Sequence, residues 1–136
     1  VPKFDFLITY INMEIVKAAE GLFMMSESDY PFEYFSIEES IPDEKLILRL
    51  SGKPASTPIE IIELDYLFRN MIKIYPESTD IEKKSAEHFK QLINILKREL
   101  SQLHVYRVGY VQVDVFITGV TSEGMVAGLK TKLIET

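Results

Sequence analysis

After the long helix the hydrophobic period of this chain changes to two, close to residue 110, and the change limits the fold more than any other feature of the sequence. Before it, Ile81, Phe89, Leu92, Ile93, Leu96, Leu100 and Leu103 recur at helical spacings and form one apolar stripe, with Lys83, Lys84, Lys90, Lys97 and Arg98 among the polar positions. Thr79 and Glu82 have the spacing of a capping box, in which hydroxyl and carboxylate satisfy two orphan amides at a helix start. After the change, Val111, Val113, Val115 and Ile117 alternate with Gln112, Asp114, Phe116 and Thr118, which is the period of a strand. Met125 to Glu135 supplies an antiparallel partner across the turn residues TSEG. A one-sided helix followed by a two-sided hairpin implies a helix packed on a sheet.

The first half of the chain adds elements of both kinds. Leu7, Tyr10, Ile11, Ile15, Ala18 and Leu22 predict a helix from about Asp5 to Glu20, stopped by Gly21. Pro31 keeps that helix from resuming, and PFEYFSIE reads as a strand, followed by a second strand candidate KLILRL closed by SGKPASTP. Ile59 to Glu63 fits a short strand, after which Asp65 can cap a helix through Met71. His88 falls on the long helix and His104 at its end. The order predicts an α+β fold with helices covering a largely antiparallel sheet. A length of 136 residues suits one domain, 1–136.

Charge narrows the class of partner. The net charge is −6, and between Ser26 and Glu44 the acids Glu27, Asp29, Glu33, Glu38, Glu39, Asp43 and Glu44 occur with no Lys or Arg among them. Such a surface repels nucleic acid and steers a basic partner inward, or it is a solvated face that keeps the protein dispersed. There is no apolar run of roughly 18 residues or more, and the N-terminal VPKFDFLITYIN lacks the build of a secretory signal. The expectation is a soluble, cytoplasmic protein. Cysteine is absent, so there is no disulfide framework and no thiolate chemistry.

No catalytic constellation accompanies these elements. The two histidines lack HExxH spacing, no GxSxG elbow surrounds Ser26 or Ser28, and the glycines form no phosphate-cradling loop. Carboxylates are plentiful enough to leave an acid/base pair open, but nothing supports one. No enzyme activity and no cofactor are expected.

Two stretches, EGLFMMSESDYPFEYF and VYRVGYVQVDVFITGVTSEGMVAGLKTKLIET, resemble the nuclease A inhibitor family over roughly Met13 to Thr136, which leaves residues 1–12 as a variable leading segment. The resemblance implies a three-layer α/β/α sandwich of the PR-1-like kind and a non-specific, metal-dependent sugar-phosphate endonuclease as partner. It also implies that Glu27 of the SES motif enters the partner's active site and that Thr136 reaches its catalytic Mg²⁺. Ser26, Ser28, Asp29, Tyr30 and Glu135 would surround those contacts. Family members carry a tryptophan ahead of the long helix where this chain has KIYPESTD, so Tyr75 is the nearest aromatic substitute. The alternative is a protein-interaction domain on the same scaffold whose partner is not a nuclease.

Overall fold

A five-stranded antiparallel sheet organises residues 11–135, the part of the chain that the computed structural model describes. In chain order the elements are α1 (Met13–Ala19), β1 (Phe23–Met24), β2 (Tyr30–Pro31), β3 (Glu33–Ile37), α2 (Glu44–Ser51), β4 (Ile59–Ile62), α3 (Leu64–Leu67), α4 (Asp80–Glu99), β5 (Ser101–Val108), β6 (Gln112–Val120) and β7 (Val126–Ile134). The sheet runs β3-β7-β6-β5-β4, while β1 and β2 pair with each other as a small ribbon. Every neighbouring pair is antiparallel.

Alternation along the strands divides the core between two faces. On one, Val105, Val113, Val115, Ile117, Leu129 and Leu133 are buried with Phe89, Leu92, Ile93 and Leu96 of α4 and with Ile15 of α1. Each such side chain is worth about 1.5–3 kcal/mol when fully withdrawn from water, so the α4 stripe is a large share of what holds the fold. Phe68 closes this core between Phe32 and Phe89, with ring centroids at 5.8 and 5.4 Å. On the other face, Ile47 of α2 packs with Tyr106, Val108 and Phe116, joined by Phe35, Leu48 and Ile59. The Tyr106 hydroxyl donates to the Pro42 carbonyl at 2.7 Å. Burial pushes the Tyr106 phenol pKa up, and Glu44 and Asp43 add to the effect.

Polar contacts tie α1 to the end of α4. The Asn12 side chain caps α1 by accepting from the Ile15 amide at 3.1 Å and donates to Glu99 Oε1 at 2.8 Å. Arg98 pairs with Glu14 and with Glu99. The Asn12 amide, followed by the Arg98 guanidinium, holds the Glu99 carboxyl below its usual range.

Several expectations are met and several are corrected. The Thr79–Glu82 capping box forms with both bonds in place, the β6–β7 hairpin has the expected partners, and PFEYFSIE contains β3. Gly21, at φ 77°, follows the C-cap Glu20 of α1. Leu7, Tyr10 and the predicted helix start near Asp5 lie outside the described residues. KLILRL is helical, not a strand: Asp43 caps it by accepting from the Leu46 amide at 3.0 Å, and Gly52 at φ 69° ends it. Asp65 is no cap; it lies in the first turn of α3, which ends at Leu67, well before Met71. Ile81, in the first turn of α4, is 81 % exposed and takes no part in the buried stripe. Leu103 and His104 belong to β5, the strand that the continued apolar spacing concealed. A positive φ of 52° at Gln102 and a register irregularity between Ser101 and His104 mark the switch. Phe116 and Thr118 are buried on the face expected to be polar, Phe116 packing there with Ile47 of α2.

One close approach gives a sharp test of the sheet. Gly128 stands opposite Thr118 on β6 and opposite Phe35 on β3, and a Cβ there would overlap the Ile117 carbonyl oxygen. Gly128→Ala is expected to lower stability by about 3 kcal/mol, since backbone on an inner strand cannot retreat as a side chain could. Urea denaturation checks this; a midpoint equal to wild type would contradict the packing described.

Candidate functional site

Glu27 stands at the tip of a five-residue connection between the two strands of the small ribbon. Met24 pairs with Tyr30 and Phe23 with Pro31, so residues 25–29 must turn back within a short span. The ribbon is fixed at its base, because Met24 is buried in the main core and the Thr131 hydroxyl donates to the Pro31 carbonyl at 2.8 Å. Ser26 fixes the tip. Its hydroxyl donates across Glu27 to the Ser28 carbonyl at 2.8 Å and accepts from the Ile134 amide at 3.0 Å. One hydroxyl therefore folds the loop on itself and joins it to the end of β7. Glu27, Ser28 and Asp29 are all exposed.

The end of β7 carries the second acid. Glu135 is exposed, its amide donates to the Val111 carbonyl at 2.8 Å, and its carboxylate pairs with Arg107. Arg107 also reaches Glu60 Oε1 at 3.1 Å. Its stem runs along the core-facing side of β5 opposite Val115, leaving the side chain 21 % exposed, and among the described residues its buried Nε has no hydrogen-bond partner. Glu27, Ser26, Arg107 and Glu135 line one surface hollow, together with Met25, Ile134 and Arg69. Arg69 is engaged elsewhere, its guanidinium 3.7 Å above the Tyr66 ring and donating to the Tyr66 carbonyl at 2.7 Å. The hollow is thus an acidic tip over an ion-paired floor. Its chemistry is that of a presented carboxylate.

The fold brings together Ser26, Glu27 and Glu135, with Ser28 and Asp29 on the same loop. Tyr30 lies in β2 and lines a different hollow with Lys130, Thr131 and Lys132. Tyr75 is exposed in the connection between α3 and α4, its amide held by Ser78 Oγ at 2.8 Å, and does not line the Glu27 hollow. Thr136 lies outside the described residues. The acidic run is divided among tasks: Asp43 caps α2, Glu39 pairs with Arg49, and Glu33 is 3.9 Å from Lys130. Arg107 was not singled out from the sequence, although an arginine in the alternation of VYRV, in phase with Val105, is a usable signal. His88 and His104 are exposed, and among the described residues no three His, Cys, Asp or Glu side chains could hold a metal ion. No helix of the described residues is long and apolar enough to cross a membrane.

The double role of Ser26 is testable by itself. Ser26→Ala removes two hydrogen bonds worth roughly 1 kcal/mol each, and Ile134 amide exchange should accelerate roughly tenfold or more as the loop detaches. Core amides such as Val115 should keep their protection. Unchanged exchange at Ile134 would show that the hydroxyl does not hold the loop.

Comparison with known proteins bears on what such a tip is for. No curated protein matches this sequence. A family model described as "Nuclease A inhibitor-like protein" matches residues 9–136, nearly the whole chain and including the Ser26–Ser28 loop, Arg107 and the end of β7. The chain belongs to the nuclease A inhibitor-like family.

Proposed function

We propose that this protein inhibits a Mg²⁺-dependent, sugar-non-specific nuclease by inserting Glu27 where the scissile phosphate of the substrate would lie. A carboxylate suits that position because its two oxygens accept paired hydrogen bonds from arginine much as phosphate oxygens do. The observation that carries the reading is the Ser26 hydroxyl, which bridges the loop across Glu27 and binds it to β7. A tip ordered before binding avoids much of the entropy that a loose loop would lose on docking. The net charge of −6 favours approach to a basic catalytic cleft.

In the same reading Thr136 supplies an oxygen donor to the nuclease's Mg²⁺, which prefers hard oxygen ligands and retains several waters. Support comes from its neighbour Glu135, whose amide is held by the Val111 carbonyl and whose carboxylate pairs with Arg107 in the hollow that Glu27 lines. We also read the helices on the two sheet faces, α1 and α4 on one and α2 on the other, as the outer layers of a PR-1-like α/β/α sandwich.

Titration of purified nuclease A with wild type, Glu27→Gln and Glu27→Ala tests the proposal. Truncation should cost about 2–4 kcal/mol of binding, the range for a charge-assisted contact left unmade in a desolvated site. Glu27→Gln, which keeps shape and one acceptor, should fall between. The thermal melts should coincide, because the side chain is exposed. Equal inhibition by all three would remove Glu27 from the mechanism and leave an interaction domain with some other partner.

A further inference from the structure

The connection between β5 and β6 exposes two apolar side chains on an unusually constrained tip. Tyr110 is 79 % and Val111 52 % exposed. Isolated exposed hydrophobics are ordinary on protein surfaces, so exposure alone assigns them nothing. The clamp beneath them is more specific. Lys53 Nζ donates to the carbonyls of Val108 and Gln112, at 2.8 and 2.7 Å, and so grips both legs of the hairpin from within. Its charge is balanced by Asp114 at 3.5 Å. Gly109 takes φ 116°, its amide donates to Pro58 at 3.1 Å, and a Cβ at that position would lie 2.6 Å from both the Gln112 oxygen and Lys53 Nζ. The tip is held in one shape while its side chains face water.

Its position relates it to Glu27. Consecutive amides at the end of β7 point to opposite sides: Ile134 donates to Ser26 in the acidic loop, and Glu135 donates to Val111 in the hairpin tip. The acidic loop and the apolar tip therefore flank the same two residues. We propose that Tyr110 and Val111 form the apolar anchor of the inhibitory face, seating on an uncharged lip beside the basic cleft that receives Glu27. This rests on the inhibitor reading above. The residues from Gly109 to Gln112 carry no charge, so the tip complements an apolar lip while the acids next to it complement the cleft. Tyrosine is enriched among the few residues that dominate protein interfaces, since it brings a large rigid surface, and here its backbone is already ordered.

Surface-immobilised nuclease A, with wild type, Tyr110→Ala, Tyr110→Phe and Glu27→Ala as analytes, separates the two claims. The anchor predicts that Tyr110→Ala dissociates roughly 30-fold faster, with association and its salt dependence unchanged, while Tyr110→Phe behaves as wild type. Thermal melts of all variants should match. If Glu27→Ala weakens binding and Tyr110→Ala does not, the anchor is overturned and the inhibitor reading stands. If wild type does not bind nuclease A at all, both fall.

Discussion

Val113, Val115 and Ile117 of β6 are buried against the α4 stripe, and the position of the Glu27 loop depends on that contact. Strand periodicity is two, so slipping β6 by one residue would move these three to the α2 face and push Asp114 under α4. The penalty fixes the register, which places Gln112 opposite Ile134 and so determines where β7 ends. From that end two amides reach out, one to Ser26 and one to Val111. A hydrophobic packing decision made under the sheet thereby sets the location of an exposed carboxylate at its rim.

The SES motif has a division of labour in this frame. Ser26 spends its hydroxyl on structure, donating to Ser28 and accepting from Ile134, and the glutamate between the serines is left at the apex. Nearby acids do different work. Asp43 caps a helix and Glu39 pairs with Arg49, so the long run of negative charge is only partly a steering surface. Below the tip, Arg107 holds Glu135 and Glu60 and keeps one carboxylate of the site from repelling the other. Identity of charge along a sequence segment says little about identity of role.

Features set by local chemistry were the legible ones. The capping box at Thr79 and Glu82 and the β6–β7 hairpin involve residues near one another in sequence, and both were found where their spacing put them. KLILRL is too short a run for its apolar spacing to separate strand from helix; its capping aspartate, three residues before Leu46, is the deciding signal. β5 escaped because Leu100 and Leu103 continue the helical spacing past the true end of α4, into a strand that exists only through its partners β4 and β6. The site was legible as a motif and not as a place. Nothing in the order of residues reveals that Ser26 meets Ile134, more than a hundred positions away, or that Tyr30 and Tyr75 fall outside the hollow that holds Glu27.

The central claim is that the protein and the nucleic acid compete for one site, with a carboxylate in the phosphate's position. The most direct measurement is binding of the protein to nuclease A in the presence of increasing amounts of a hydrolysis-resistant phosphorothioate oligonucleotide. The account predicts that apparent affinity falls in proportion to oligonucleotide occupancy, without limit, as mutual exclusion requires. A ternary complex, seen as an apparent affinity that levels off at saturating oligonucleotide, would contradict it.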